Sequence, residues 1–126
     1  MTRSKKNRSV QEEVPRQVTE LETVIADVRA SRKPSPRTTR LIASGLPRMA
    51  QKVAEEATEV VIEAVRGRHA AVVKESVDLL YNLAVLWSEL GIAASEVWAE
   101  MDRRRALLGI AEKLPKDEGS LSLAGQ

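Results

Sequence analysis

The sequence contains no cysteine and no phenylalanine, and among its 126 residues there are one tyrosine, two tryptophans and one histidine. The absence of cysteine excludes a disulfide framework, a thiolate nucleophile and a zinc site built on thiolates. The single histidine, His69, excludes a metal site made of several histidines from one chain. So few aromatic side chains require an aliphatic core, which favours helices over a β-sandwich or a β-barrel.

Long hydrophobic runs are also missing. The longest unbroken apolar stretch, residues 83–87, is far shorter than the roughly 20 residues that a helix needs to cross a bilayer. The basic residues near the N-terminus are not followed by the apolar region of a signal peptide. We therefore expect a cytoplasmic protein without a membrane partner.

The charge is nearly balanced overall but unevenly distributed. The 20 basic and 18 acidic residues leave a net charge of +2, yet residues 1–40 hold 10 basic and 5 acidic residues, whereas residues 41–126 hold 10 and 13. Residues 1–15 are polar, basic and without helical periodicity, so we predict a flexible basic arm. Because this arm is short and has no interleaved aromatic residue, a nucleic-acid partner is not expected.

Apolar residues recur at spacings of three and four in four segments, which is the period of an amphipathic helix. Lys33–Pro36 predicts a loop after the first segment, and the short stretch 38–44 ends at Gly45, a natural helix C-cap. Pro47 suits the first turn of the next helix. The helices are predicted at about residues 16–31, 47–67, 70–90 and 96–114, with Gly91 as the end of the third, followed by a tail at residues 115–126.

The third predicted helix is apolar on nearly every side, and such a helix is normally buried all round. Four helices of this length form a bundle, but one chain this small can hardly surround such a helix. We therefore predict an all-α, four-helix-bundle-like domain over residues 16–114 that is completed by dimerisation. The apolar helix would lie at the interface of a homodimer or of a larger assembly.

Acidic residues concentrate on the second and third predicted helices. Glu55, Glu56 and Glu59 fall within a sector of about 100°, opposite an apolar face. Glu75 and Asp78 are one turn apart on the third helix. If the two helices pack antiparallel through the short turn between them, the two acidic faces meet. Asp78 stands at the start of an apolar run, where an unpaired carboxylate is costly.

Converging carboxylates without histidine or cysteine form an all-oxygen site, which suits Mg²⁺ or, as an alternative, Mn²⁺. Such a site implies attack of a metal-positioned water on a phosphoanhydride. Arg48 and Lys52, one turn before the acids, could hold the phosphates. Glutamate is also a good helix former, so a solvated acidic helix face is the alternative, and spacing alone does not decide between the two.

The arrangement of these acids resembles the EExxE…ExxD signature of the all-α nucleoside-triphosphate pyrophosphatase (MazG-like) superfamily. The stretches RMAQKVAEEA at residues 48–57 and DLLYNL at residues 78–83 are similar to RIAQKVGEEAVE and DLLYHLLVL of the phosphoribosyl-ATP pyrophosphohydrolase family. The resemblance covers roughly residues 18–114, and the order of the motifs and the loop lengths agree with that family.

The resemblance implies an all-α dimer that hydrolyses phosphoribosyl-ATP to phosphoribosyl-AMP and pyrophosphate with Mg²⁺, a step of histidine biosynthesis. It implies phosphate binding by Arg48 and Lys52, and a catalytic role for Glu56 and Glu59. The metal carboxylates that it implies are Glu55, Glu56, Glu59, Glu75 and Asp78.

The sequence departs from the family pattern at three places without removing a metal carboxylate. Ala54 replaces a usual Gly, Asn82 a frequent His, and Pro36-Arg37-Thr38 a usual Ser-Tyr-Thr. Arg37 and Asn82 bear on substrate identity, and we assign Arg37, Thr38, Arg40 and Asn82 to the substrate pocket. Two other functions fit these residues: a MazG-like pyrophosphatase acting on other (d)NTPs, and a non-catalytic helical dimer that binds a nucleotide or a protein partner.

Overall fold

The computed structural model describes residues 16–111, and all regular structure in this range is α-helical. The prediction of an all-α fold is confirmed. The helices are α1 (Arg16–Arg29), α2 (Pro36–Ala43), α3 (Leu46–Val65), α4 (His69–Leu90) and α5 (Ala94–Ala111). The predicted arm at residues 1–15, the predicted tail at residues 115–126 and residues 112–114 of the predicted domain lie outside the described residues.

Helix α2 corrects the prediction of four helices, because residues 16–111 contain five. The predicted loop is confirmed at residues 33–35, but Pro36 already belongs to α2. Ser35 is the N-cap residue of α2, and its side chain accepts a hydrogen bond from the backbone N–H of Thr38. Pro36 then occupies the first turn, where the absent N–H of proline leaves no helical hydrogen bond unmade.

Two glycines, Gly45 and Gly91, lie at the ends of helices. Gly45 has a φ of 90°, a region that favours glycine, and its carbonyl accepts from the N–H of Met49 at 3.1 Å. Its N–H donates to the carbonyl of Ile42 at 3.3 Å, so Gly45 joins the end of α2 to the start of α3. Pro47 lies in the first turn of α3 and Gly91 caps α4, as predicted.

Helices α3 and α4 form a hairpin around residues 66–68 and make the most extensive contact between any two described helices. Helices α1 and α2 pack against this hairpin. The centre of the core consists of Ile25, Met49, Ala84 and Val85, each at most 2% exposed. Burying each of the larger side chains stabilises the folded state by about 1.5–3 kcal/mol. Because Met49 belongs to α3 and Ala84 and Val85 belong to α4, their packing sets the register of α3 against α4.

Helix α4 is not buried all round within one chain, which agrees with the expectation that one small chain can hardly surround it. Its residues Asn82, Ala84 and Val85 are buried. By contrast, Val73, Val77 and Leu80 are 54%, 61% and 47% exposed. The contacts of α1 and α2 leave this part of the circumference of α4 uncovered, which the apolar character of the helix alone does not reveal.

A second compact unit begins at Ser95 and contains nearly all of α5. Within it, Glu100 accepts hydrogen bonds from Nε of Arg103 at 2.7 Å and from Nε of Arg104 at 3.0 Å. These guanidinium groups lower the pKa of Glu100 to about 2. Among residues 16–111, no single helix is long and apolar enough to cross a membrane, although α4 and the stretch Ala94–Leu108 meet that criterion when they are taken together.

Candidate active site

Three carboxylates from the two hairpin helices converge. Glu56 of α3 and Glu75 and Asp78 of α4 each offer an oxygen, and these oxygens all lie within 4.8 Å of one another. The antiparallel packing of α3 and α4 places Glu56 opposite the pair on α4, whose spacing of three residues puts both side chains on one face. The structure therefore brings together three of the five acids that we predicted from the sequence.

The neighbouring carboxylates affect the ionisation of Glu75. The pKa of Glu75 is raised from its ordinary value of 4.5, first by its side-chain hydrogen bond to Glu56, then by burial and by the charges of Glu56, Asp78 and Glu59. A hydrogen bond between two carboxyl groups requires a shared proton, because Glu56 and Glu75 repel each other when both are ionised. A hard divalent cation fits such an oxygen donor set, because it would neutralise the same repulsion.

This shift predicts how the stability of the metal-free protein depends on pH. Because the folded state raises the pKa of Glu75, it binds a proton that the unfolded chain releases, and stability falls as the pH rises from 4.5 towards the raised folded value. Glu75→Gln removes this loss. Urea unfolding from about pH 4 to about pH 7 in a chelator measures it. Parallel pH profiles for the wild type and the variant would contradict the prediction.

The other two predicted metal ligands lie outside this group of three. Glu55 is exposed, and its Oε1 accepts from Nη1 of Arg48 at 3.3 Å and from Nε2 of Gln51 at 3.1 Å. Glu59 is also exposed, but it is close enough to contribute to the raised pKa of Glu75. The structure thus places Glu59 beside the cluster and holds Glu55 among cations.

Lys52 links the acidic cluster to its cationic surroundings. Its Nζ lies 3.4 Å from Oε2 of Glu55 and 3.4 Å from Oε1 of Glu56. The side chains of Lys52 and Glu56 are only 27% and 13% exposed, so this pair is less screened by solvent than a surface ion pair. The two predicted phosphate-binding residues, Arg48 and Lys52, therefore both lie next to predicted metal carboxylates.

A cavity of about 300 Å³ opens beside the acids and is lined by four cationic side chains. Five of the predicted phosphate- and substrate-binding residues line it, together with Leu41 and Ser44, which the sequence pattern did not indicate. The five are Arg37, Arg40, Arg48, Lys52 and Asn82. Arg37, Arg40, Leu41 and Ser44 follow helical spacing, so recognising α2 as a helix would have predicted this wall of the cavity.

Thr38 does not line the cavity, although we predicted it as a pocket residue. It is buried, and its hydroxyl makes hydrogen bonds with the hydroxyl of Tyr81 at 2.5 Å and with Oγ of Ser35 at 3.0 Å. Thr38 therefore fixes α2 against α4. In this way it determines where Arg37 and Arg40 of the same helix are placed.

Two of the residues that depart from the family pattern, Arg37 and Asn82, lie in the cavity wall. The guanidinium of Arg37 stacks 5.0 Å from the centre of the Tyr81 ring, and its Nη2 lies 3.8 Å from Oδ1 of Asp78. Asn82 is 1% exposed and donates from Nδ2 to the backbone carbonyl of Asp78 at 2.8 Å. Among the described residues, its Oδ1 has no hydrogen-bond partner.

Comparison with known proteins places this site in a family. A profile of the phosphoribosyl-ATP pyrophosphohydrolase family matches residues 18–105. The chain is 62% identical over 80 residues to phosphoribosyl-ATP pyrophosphatase 2 of Rhodopseudomonas palustris, an alignment that covers 64% of this chain and 61% of that relative. It is 56% identical over 99 residues to phosphoribosyl-ATP pyrophosphatase 2 of Bradyrhizobium diazoefficiens, covering 76% and 74% of the two chains.

A third relative is more distant but is covered over more of its length. The phosphoribosyl-ATP pyrophosphatase of Azospirillum brasilense is 46% identical over 96 residues, which are 74% of this chain and 86% of the relative. The matched region includes α3 and α4 and therefore every acid of the cluster. The family predicted from the residues is confirmed, and the chain belongs to the phosphoribosyl-ATP pyrophosphohydrolase family.

Proposed function

We propose that this chain hydrolyses phosphoribosyl-ATP to phosphoribosyl-AMP and pyrophosphate in histidine biosynthesis. The observation that carries the proposal is a cluster of three carboxylates directly beside a cavity lined by four cations. Hydrolysis of a phosphoanhydride makes use of both features. The carboxylates hold a metal cation, and this cation and the basic side chains together neutralise the charge of the phosphates. The names of the relatives support phosphoribosyl-ATP as the substrate.

The acids would hold Mg²⁺, with Mn²⁺ as an alternative. Glu56, Glu75 and Asp78 supply the converging oxygens, and Glu55 and Glu59 are the further acids that lie beside them. When bound, the metal supplies Lewis-acid stabilisation of the phosphate oxygens and lowers the pKa of a coordinated water. Carboxylate oxygens are the ligands that Mg²⁺ prefers, and the cluster offers no softer donor.

The protein side chains would perform the remaining tasks of the hydrolysis. A water oxygen attacks phosphorus, the bond to the bridging anhydride oxygen breaks, and pyrophosphate leaves. Glu59 is exposed beside the cluster and makes no ion pair within residues 16–111, so it is placed to accept the proton of the water together with Glu56. Arg48, Lys52 and Arg40 would hold the phosphates, since Arg40 lines the cavity without an acidic partner in the described range.

The proposed enzyme is a homodimer that shares the hairpin of α3 and α4. Val73, Val77, Leu80 and Ala84 follow spacings of four, three and four, so they form one stripe of α4. Ala84 is 2% exposed, whereas the other three are about half exposed or more, as are Val61 and Val65 of α3 at 60% and 84%. A second copy of the chain, applied to this stripe, would bury apolar surface that one chain leaves in water.

This proposal predicts that Val77→Asp converts the dimer into monomers. A charge at the centre of an apolar interface leaves an unpaired buried carboxylate in the dimer, whereas in the monomer the side chain is exposed to solvent. Sedimentation analysis at several protein concentrations measures the change, and circular dichroism checks that the helices persist. Val24→Asp, at an exposed valine of α1, is the control. A wild-type chain that is monomeric at high concentration would refute the dimer.

The test of function is release of pyrophosphate by the purified wild-type chain from phosphoribosyl-ATP with Mg²⁺. A panel of canonical and damaged dNTPs is measured in parallel. We expect the highest kcat/KM for phosphoribosyl-ATP. A higher value for a dNTP would favour the broader MazG-like activity instead, and a chain that binds nucleotide without releasing pyrophosphate from any of them would favour the non-catalytic dimer.

A further inference from the structure

Three of the cations that line the cavity are also paired with predicted metal carboxylates. Arg37 lies 3.8 Å from Asp78, and Arg48 lies 3.3 Å from Glu55. Lys52 lies 3.4 Å from both Glu55 and Glu56. The same side chains therefore face two sets of partners, the carboxylates on one side and the cavity on the other.

Arg37 shows this double role most clearly. Its ion pair with Asp78 is long, and the two side chains are 64% and 39% exposed, so solvent screens the attraction and the pair is readily broken. The stacking of its guanidinium on Tyr81 is independent of Asp78 and keeps the group at the cavity wall. Arg37 can thus exchange one anionic partner for another without leaving the site.

We propose that Arg37 is an exchangeable counter-ion that couples the binding of metal to the binding of phosphate. Asp78 holds Arg37 while the carboxylates carry no metal, and a phosphate in the cavity takes Arg37 over when a divalent cation occupies Asp78. This inference rests on the proposed function, because it assumes that Asp78 is a metal ligand. Coupling of this kind is reciprocal, so each ligand strengthens the binding of the other.

The proposal makes two predictions of opposite sign for Arg37→Gln. Without the arginine, Asp78 has no competing cation, and the metal alone should bind more tightly. The phosphate loses a cationic partner and should bind more weakly. We expect about a fivefold change in each affinity, at the low end of the 5- to 150-fold range of coupling between sites because Arg37 is exposed. A merely structural role of Arg37 would weaken both kinds of binding.

The first measurement uses Mn²⁺ alone with the full-length protein, and free Mn²⁺ is quantified by electron paramagnetic resonance. It requires no turnover, so it remains informative even if phosphoribosyl-ATP is not the substrate. The matched control is Arg32→Gln, which removes an exposed arginine paired with Asp27 at 3.0 Å, outside the cavity lining. The control should leave the Mn²⁺ affinity unchanged, and Arg37→Lys, which keeps the charge, should return the affinity towards the wild-type value.

The second measurement is calorimetric titration of pyrophosphate at saturating Mg²⁺. Weaker binding to Arg37→Gln, but not to Arg32→Gln, is the expected result. Equal or weaker Mn²⁺ binding by Arg37→Gln would overturn the proposal. Tighter Mn²⁺ binding with unchanged pyrophosphate binding would overturn it too, because Arg37 would then compete with the metal without serving the phosphate.

Discussion

Replacing Glu56 with glutamine is expected to lower the rate of pyrophosphate release by more than about 100-fold, because even residues that only support metal ligands cost 10- to 100-fold when they are lost. Glu56 is the carboxylate through which α3 joins the cluster of α4, and its side chain is only 13% exposed. Glutamine keeps the shape of the side chain but lacks its charge, so the effect isolates electrostatics from packing.

The matched control for this variant is Glu63→Gln on the same helix. The Glu63 side chain is 11% exposed, and it pairs with Arg66 at 3.5 Å and with Arg68 at 3.7 Å. It lies two turns beyond Glu56, about 10 Å along the helix axis. The control should lose stability but keep its kcat, whereas Glu56→Gln should keep its helical content and lose its kcat. A Glu56→Gln enzyme that retains a tenth of the wild-type rate would show that the reaction centre lies elsewhere.

Truncating Met49 to alanine is expected to destabilise the protein by about 2–5 kcal/mol, the usual cost of a cavity at a buried Met or Leu. Met49 is 0% exposed and packs in the core with Ile25, Ala84 and Val85. A typical domain has about 5–15 kcal/mol of stability, so this loss would remove a large share of it. Urea unfolding of the metal-free proteins measures the difference.

Two further variants make the result specific to core packing. Met49→Leu keeps most of the volume and should cost less than about 1.5 kcal/mol. Met101→Ala, at a position that is 58% exposed on α5, should change stability by no more than about 0.5 kcal/mol. A Met49→Ala protein within about 1 kcal/mol of the wild type would contradict the assigned core. The Met49→Ala protein should also lose activity in proportion to the fraction that unfolds, because only the folded α3 places Arg48 and Lys52 at the cavity.

Much of the helical pattern was predictable because it depends on local chemistry. The periods of apolar residues locate α1, α3, α4 and α5, and Gly91 and Pro47 mark ends that the structure confirms. Helix α2 escaped prediction because eight residues are too few to show a clear period, and the prolines of residues 33–36 suggested a loop. Arg37 and Arg40 were predicted as pocket residues, but the helix that places them side by side in the cavity wall was not.

By itself, the sequence determined the helical class and the family, and it limited the donors available to a metal mainly to carboxylates, since there is one histidine and no cysteine. Only the tertiary structure decided that Glu56, Glu75 and Asp78 converge while Glu55 pairs with cations, and that Arg37 reaches both Asp78 and the cavity. The physical reason is that spacing sets the direction of a side chain on its own helix. Distances between helices depend on the packing of a core around Met49 and Val85, which brings together residues that are far apart in the sequence.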